Sequence, residues 1–123
     1  MRFVTMVKYD ENGTPPPKAY LDALAEFNRT AKAAGAMIQC SGLQPSAHAS
    51  RLRLTQGKVT ATDGPFTETK ELIGGFAVFD LPSKQAMMAW MQRFMELGKH
   101  WPEWECEVEI REIQDEPQFG QKQ

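Results

Sequence analysis

The sequence predicts one α+β domain with four main strands, two helices and an inserted hairpin. Its 123 residues suit a single domain and are too few for two. Apolar residues recur every three or four positions in two segments, 18–34 and 83–98, which is typical of helices. Runs of β-branched and aromatic residues separate these segments and predict strands. We take residues 1–114 as the domain and 115–123 as a C-terminal tail without periodicity.

Residues 2–35 predict the first strand, a loop and the first helix. Residues 2–9 are apolar on both alternating faces, so both faces of this strand are expected to be buried. The run from Asn12 to Pro17 contains three prolines and forms a loop. A helix then spans Lys18 to Ala34, and Gly35 ends it.

The remaining elements follow in order. Residues 36–40 form a short strand, and residues 51–62 form an antiparallel hairpin around Gln56-Gly57 with one exposed face. Residues 72–81 are apolar on both faces and predict a central strand. The second helix begins after Ser83, its expected N-cap, and Cys106 to Arg111 alternate as the last strand.

Without the hairpin, the order is strand, helix, strand, strand, helix, strand, which predicts a ferredoxin-like βαββαβ fold. Two helices cover only one face of such a sheet. The strands at 2–9 and 72–81 carry apolar residues on the second face as well. We therefore expect a homodimer in which two identical sheets pack face to face.

Composition excludes several classes of function. The net charge of −2 gives no basic surface for nucleic acid. No apolar run reaches the roughly 18 residues of a membrane span, and the N-terminus lacks a signal peptide, so we expect a cytoplasmic protein with no membrane partner. Cys40 and Cys106 stand alone, without the spacing of a zinc site or a disulfide framework. We expect neither a metal nor a cofactor.

The segment from Asp63 to Phe76 is the most informative part of the chain. Glycine followed by proline makes Asp63-Gly64-Pro65-Phe66 a rigid turn, in which Asp63 can bind backbone amides. On a structural interpretation, this motif only shapes the chain, and Phe66 fills the core.

The second half of this segment carries charges. On a functional interpretation, Glu68 or Glu71 acts as a general base and Lys70 steadies a developing anion; on a structural one, all three belong to a solvated loop. Gly74 and Gly75 would leave room for a ligand against the sheet.

Other polar residues are weaker candidates. His48 lies in the loop before the hairpin and is either an ordinary surface histidine or an acid–base group. Ser46 has no base near it in the sequence and suits a turn. Arg51 and Arg53 either bind an anionic substrate or solubilise the hairpin.

The stretch Thr62 to Phe76 (TDGPFTETKELIGGF) resembles the signature of the DGPF branch of the YCII-related family. The likeness extends to Gly42-Leu43-Gln44-Pro45-Ser46, to residues 105–111 and to Gln118-Phe119-Gly120, nearly the whole chain. It implies a dimeric ferredoxin-like α+β barrel. Members of the wider family resemble a lyase or isomerase with a histidine in the first helix, but residues 18–34 contain none. DGPF proteins commonly have a glutamate where this chain has Ser41.

Three functions follow from these observations. The first is a cofactor-independent acid–base enzyme of lyase or isomerase type, acting on a small organic molecule through Asp63, Glu68 or Glu71. The second is a non-catalytic module that binds or senses a small molecule; the resemblance links such modules to sigma-factor regulation. The third is a purely structural interaction domain without a pocket. In either of the first two, the expected ligand contacts are as follows: His48, Phe66, Gly74, Gly75 and Phe76.

Overall fold

The computed structural model describes residues 1–66 and 72–114. It contains six strands, two helices and two short 3-10 turns at Ser46–His48 and Leu97–His100. The strands and helices are as follows: β1 (Arg2–Lys8), α1 (Lys18–Ala33), β2 (Met37–Gly42), β3 (Ser50–Thr55), β4 (Lys58–Asp63), β5 (Ile73–Asp80), α2 (Lys84–Glu96) and β6 (Glu107–Glu112). The element order is therefore the predicted one, with boundaries shifted by one or two residues.

Four strands form an antiparallel sheet in the order β2-β5-β1-β6. The first and third strands of the βαββαβ unit lie in the centre of this sheet, as in a ferredoxin-like domain. The predicted α+β, ferredoxin-like architecture is confirmed at this level. β1 is central because both of its edges are paired, with Val4 opposite Val78 on one side and Arg111 on the other.

Local sequence signals explain where the helices begin and end. α1 follows the prolines of the preceding loop, and Gly35 follows it with a φ of +74°, the left-handed conformation that glycine adopts without strain. α2 begins at the predicted cap, where the Ser83 hydroxyl accepts a hydrogen bond from Ala86 N at 3.0 Å. Neither helix in residues 1–66 and 72–114 has the length and apolar character needed to cross a membrane.

The core lies between the sheet and the two helices. Phe79 in β5 and Met87 in α2 are completely buried at its centre. Other buried members come from both helices and from the facing sides of the strands: Phe3, Phe27, Ala31, Met37, Ala77 and Met91. Met87 and Met91 are thus packing residues, as expected of a methionine stripe at helical spacing, whereas Met88 and Met95 are exposed.

The opposite face of the sheet is apolar at its centre and only half-buried. Register places Val4 opposite Val78 and Met6 opposite Phe76 on this face, which we call the open sheet face. All four side chains are partly exposed. The prediction that both faces of β1 and β5 are apolar is correct, but what covers the second face stays a prediction.

The hairpin formed by β3 and β4 differs from expectation. Its turn has Gln56 and Gly57 at φ values of 51° and 75°, both in the left-handed region, as a two-residue hairpin turn requires. However, within the described residues β3 and β4 pair only with each other, and every residue of both strands is exposed. The expectation of one buried face was wrong for the single chain, because the hairpin forms its own two-stranded sheet instead of packing on the domain.

An ion pair across the sheet leads to a pH prediction. Lys8 Nζ lies 2.7 Å from Glu109 Oε1, and Arg111 Nε lies 2.7 Å from Glu109 Oε2. The Lys8 hydrogen bond, followed by that from Arg111, lowers the pKa of Glu109 from 4.5 to about 2. Because the folded-state pKa is depressed, this stabilisation is present above the unfolded pKa and is lost as the pH falls from 4.5 towards about 2.

We expect Glu109→Gln to lower the melting temperature at neutral pH. In acid, the melting temperatures of the variant and the wild type should become equal. Thermal unfolding of both proteins across this pH range measures the difference. Glu112→Gln, at an exposed position of the same strand, is the matched control. A difference between Glu109→Gln and wild type that does not change with pH would rule out the ion pair as its cause.

Candidate functional site

A cavity of about 1200 Å³ lies between the sheet and the N-terminal half of α1. Its volume exceeds what a small organic ligand needs. Thr5, Val7 and Ala77 contribute from the helix-facing side of the sheet, and Tyr20 and Leu24 from α1. The site is therefore built on rigid elements, and loops surround its mouth.

Four aromatic rings form one wall of this cavity; we call them the aromatic wall. Trp101 and Trp104 stack with their ring centroids 4.7 Å apart and their planes at 6°. Tyr20 contacts both indoles with centroids at 5.3 Å, and Tyr9 meets the edge of Trp104 at 5.5 Å. Offset and edge-on contacts of this kind fix the rings relative to each other.

Two hydrogen-bond donors in the aromatic wall lack an acceptor. The indole Nε1 atoms of Trp101 and Trp104 are both buried and have no hydrogen-bond partner among residues 1–66 and 72–114. Trp101 is only 6% exposed. Buried donors are almost always paired, and leaving one unpaired costs about 1–3 kcal/mol. Both tryptophans line the cavity, so a bound molecule is a candidate acceptor.

The two phenols of the aromatic wall and the neighbouring Cys106 thiol stay protonated at neutral pH. Burial raises the pKa of Tyr20 above its ordinary value, and the nearby Cys106 and Tyr9 raise it further. Burial also raises the pKa of Tyr9, with a contribution from the Glu11 carboxylate, and it raises the pKa of the Cys106 thiol. At neutral pH the inner cavity therefore presents uncharged donors.

The charged residues that line the cavity are mostly acidic. Lys8 is the basic residue among the described lining residues, and it is engaged by Glu109. The acidic residues are as follows: Asp10, Glu11, Glu103, Glu105 and Glu107. Among the residues that the structure describes, no three metal-ligating side chains cluster closely enough to hold a metal ion. The five carboxylates against one ammonium give a negative field that disfavours anionic ligands.

Gly74 and Gly75 line the cavity together with Phe76, and their contact with a ligand stays a prediction. The space beside Gly74 is already occupied, however. A Cβ atom there would lie 2.1 Å from Tyr9 Cε1, so the glycine admits the Tyr9 ring. A Cβ on Gly75 would lie 3.1 Å from Ser41 O. The room expected for a ligand at Gly74 is thus filled by part of the aromatic wall.

Three loops meet beside the cavity mouth at Glu11, Ser46 and Phe66, which we call the three-loop junction. Ser46 is 6% exposed, and its backbone N donates to Glu11 Oε1 at 2.8 Å. Ser46 Oγ donates to Glu11 Oε2 and accepts from Phe66 N at 3.2 Å. The Ser46 side chain thus joins the other two loops, which goes beyond the turn role expected of it.

Gly64 packs against the same junction; it belongs to the turn Asp63-Gly64-Pro65-Phe66, which we call the DGPF turn. Gly64 N donates to Ala49 O at 2.8 Å, and a Cβ on Gly64 would lie 1.6 Å from Ser46 O. The Gly64–Pro65 peptide bond is cis. Close backbone approach explains why glycine is required here, in agreement with the structural interpretation of this turn.

Sequence-predicted site residues divide between the cavity and the surface. Asp63 is exposed and accepts a hydrogen bond from Ser50 Oγ at 3.0 Å, away from the cavity. His48 is also exposed and does not line it. Phe66 lies outside the buried core, contrary to expectation: the Arg51 guanidinium carbon sits 3.7 Å from its ring centroid. Phe66 instead lines a smaller cavity of about 410 Å³ next to the junction.

The charged candidates Glu68, Lys70 and Glu71 lie outside the described residues. The residues that sequence reasoning missed are Glu11 and the aromatic wall. Glu11 has no motif around it, and its partner Ser46 is 35 residues away along the chain. Clustering of Tyr9, Tyr20, Trp101 and Trp104 depends equally on the fold.

The aromatic wall gives a spectroscopic prediction. Tyr9 and Tyr20 are the two tyrosines of the chain. An ordinary tyrosine is half ionised near pH 10. Because both native pKa values are raised, we expect well under half of the tyrosine to ionise at that pH until denaturant is added.

The raised pKa values also make folded protein less stable as the pH rises above about 10, since only the unfolded chain then loses its phenolic protons. Tyrosinate absorbance in native and denatured protein measures the effect, and Tyr9→Phe and Tyr20→Phe assign it to each ring. Coincident native and denatured titrations would contradict the burial of these phenols.

Comparison with known proteins adds the family. Among curated proteins, none matches this chain significantly. The family model described as "YCII-related domain" matches residues 1–113, which include every element of the sheet, both helices and the cavity. The chain belongs to the YCII-related domain family.

Proposed function

We propose that the protein binds a small, uncharged organic molecule that carries an acceptor oxygen, in the cavity beside the aromatic wall. The observation that carries this proposal is the pair of buried indole donors of Trp101 and Trp104 in the wall of that cavity, which lack a partner in the described part of the chain. Binding, not catalysis, is the function that this observation supports best.

Hydrogen bonding favours a ligand with a carbonyl, ester or amide oxygen. Each unpaired indole N–H carries a cost that an acceptor would remove. A small adjustment of the rings is needed to expose these nitrogens, since both are shielded from solvent. The apolar surface of the rings then accommodates an aromatic or aliphatic body.

Electrostatics favours a neutral ligand over an anionic one. The carboxylates of Asp10, Glu11 and Glu103 are part of an acidic lining that outnumbers Lys8, the one basic residue among the described lining residues. An incoming carboxylate would be repelled by this field and would also lose its hydration. Esters and amides keep the acceptor oxygen without the charge.

Matched pairs of compounds test the proposal by thermal shift. Methyl benzoate and benzamide are compared with benzoate at equal concentration and near-neutral pH. At about ten times its Kd, a neutral ligand should raise the melting temperature by about 5 °C, while benzoate at that concentration has little effect. Trp104→Phe keeps a ring and removes one donor, so it should reduce the shift.

Two outcomes would contradict the proposal. One is stabilisation by benzoate as large as that by its ester. The other is the absence of any shift across a wider series of ketones, esters and amides. Arg93→Ala is the matched control for effects of surface substitution, because Arg93 stacks on Trp90 outside the cavity.

An acid–base enzyme is the second candidate, and one observation favours it. The Glu11 carboxylate and the protonated phenols of Tyr9 and Tyr20 line the same cavity. In this candidate Glu11 takes a proton from carbon next to a bound carbonyl, and a phenol donates a hydrogen bond to the oxygen that becomes negative.

Exchange of hydrogen for deuterium at that carbon tests this candidate. A bound ketone in deuterated buffer is followed by NMR with wild type, Glu11→Gln and Tyr20→Phe. Exchange that is catalysed by wild type and slowed at least tenfold in Glu11→Gln supports the enzyme. Binding without catalysed exchange leaves the binding function alone.

A further inference from the structure

The cavity beside the aromatic wall extends across the whole width of the four-stranded sheet. Its lining includes residues from each strand, among them, in sheet order, Cys40 (β2), Ala77 (β5), Val7 (β1) and Glu107 (β6). Neighbouring strands lie about 4.8 Å apart, so the three gaps between them give a length of about 14 Å. The cavity is therefore long enough for a molecule much larger than a single ring.

The two ends of this cavity differ in chemistry. Trp101 and Trp104, whose indole N–H groups lack an acceptor in the described residues, shortly precede β6 in the chain. Leu43 directly follows β2, which forms the opposite edge of the sheet. The unpaired donors and this apolar side chain thus belong to opposite ends of the cavity.

Three large apolar side chains border the cavity where it opens to solvent; we call them the apolar mouth. Leu21 is 48% exposed, Leu43 46% and Ile73 41%, and all three line the cavity. Leu43 lies beside the start of β5, because Leu43 N donates to Gly74 O at 2.9 Å. A ligand that stays at the aromatic wall leaves these side chains in water, whereas an apolar chain that reaches them removes apolar surface from water on both sides of the contact.

The floor of the cavity next to the apolar mouth is made of glycine. Gly42 is opposite Gly75 in β5, and Gly75 is opposite Val7 in β1, so all three share the helix-facing side of the sheet. A Cβ atom on Gly42 would meet no atom of the described residues within 4 Å, and its φ lies outside the left-handed region. Backbone strain therefore does not explain this glycine, and the missing side chain leaves an open path along the sheet.

We propose that the ligand of this cavity is a medium-chain carbonyl compound, whose oxygen accepts from the aromatic wall and whose alkyl chain runs over Gly42 to the apolar mouth. This inference rests on the proposed binding function and specifies the class of ligand. An extended chain advances about 1.2 Å per single bond, so a path of about 14 Å suits a chain of about 10 to 12 carbons. Alkyl ketones, esters and amides of this length are such ligands.

A series of 2-alkanones from 2-butanone to 2-decanone tests the chain, with Kd measured by isothermal titration calorimetry. Its members share one acceptor oxygen and differ only in chain length. Each added methylene should lower Kd about threefold, as expected when it is buried. A Kd that does not change with chain length, while the short ketones bind, would overturn this inference and leave the proposed function intact. Absence of binding throughout the series would overturn both.

Gly42→Leu tests the path by placing a side chain in it. The variant should raise the Kd of 2-decanone by about tenfold or more and leave that of 2-butanone within about threefold of wild type. Gln39→Leu is the matched control, because it adds the same side chain at an exposed position of β2 that does not line the cavity. Equal effects of Gly42→Leu on the short and the long ketone would overturn the path.

The double variant Leu21→Ser with Leu43→Ser tests the apolar mouth. It removes the apolar contact for the end of the chain, so the ratio of Kd between 2-butanone and 2-decanone should fall about tenfold. Ile38→Ser is the matched control, since Ile38 is also 48% exposed but does not line the cavity. Circular dichroism checks that each variant is folded. An unchanged ratio in the double variant would overturn the assignment of the chain to this mouth.

Discussion

Replacing Gly64 with alanine is expected to destabilise the protein by about 3 kcal/mol or more. The new Cβ atom would lie 1.6 Å from Ser46 O and 2.7 Å from Ser46 C. Neither atom can move easily, because Ser46 O accepts from Ala49 N at 2.9 Å and Gly64 N is bound to Ala49 O. Backbone would have to shift on both sides of the contact.

Chemical denaturation of Gly64→Ala measures this loss. Gly42→Ala is the matched control, since a Cβ at Gly42 meets nothing within 4 Å and its φ is not in the left-handed region. The control should stay within about 1 kcal/mol of wild type. Equal stability of the two variants would show that the DGPF turn does not depend on close packing at Ser46.

Ser46→Ala is expected to cost about 2 kcal/mol. It removes the hydroxyl that donates to the Glu11 carboxylate and accepts from Phe66 N. Because Ser46 is buried, water does not readily replace it on either partner. Urea denaturation of Ser46→Ala, Glu11→Gln and the double variant gives the coupling free energy between the two side chains. This coupling should be at least about 1 kcal/mol.

The exposed Ser41→Ala is the control for loss of a serine hydroxyl and should be nearly neutral. Additive effects of Ser46→Ala and Glu11→Gln would contradict a direct hydrogen bond between the two side chains. Since Glu11 also lines the cavity, the same variants should weaken ligand binding, which links the DGPF turn to the site.

The elements of this fold could be predicted because their signals are local. Proline before α1, Gly35 after it and the Ser83 cap of α2 define helix ends within a few residues. Alternation identified the strands, and the element order identified the sheet. The exposure of the hairpin could not be predicted, because the alternation of Leu52 and Leu54 does not reveal whether the rest of the domain packs against them.

The candidate site was much less predictable. Gly74 lines the cavity, but the Tyr9 ring beside it directly follows β1, more than 60 residues earlier in the chain. Ser46 gave no sign of its partner Glu11 for the same reason. Asp63 suited a catalytic role by residue type, yet at the end of β4 it accepts a hydrogen bond from Ser50. Local motifs reveal turns, whereas cavities depend on contacts between distant segments.

The indole N–H resonances of the protein test the central claim most directly. The chain has three tryptophans, so a ¹⁵N-labelled sample gives three such signals, which single Trp→Phe variants assign. Trp90 does not line the cavity and is the internal reference. Titration with a neutral ester or amide should move the Trp101 and Trp104 indole protons downfield, as expected when an N–H donates a hydrogen bond, while the Trp90 proton stays. Saturating ligand that leaves both unmoved, or moves all three alike, would contradict binding at the aromatic wall.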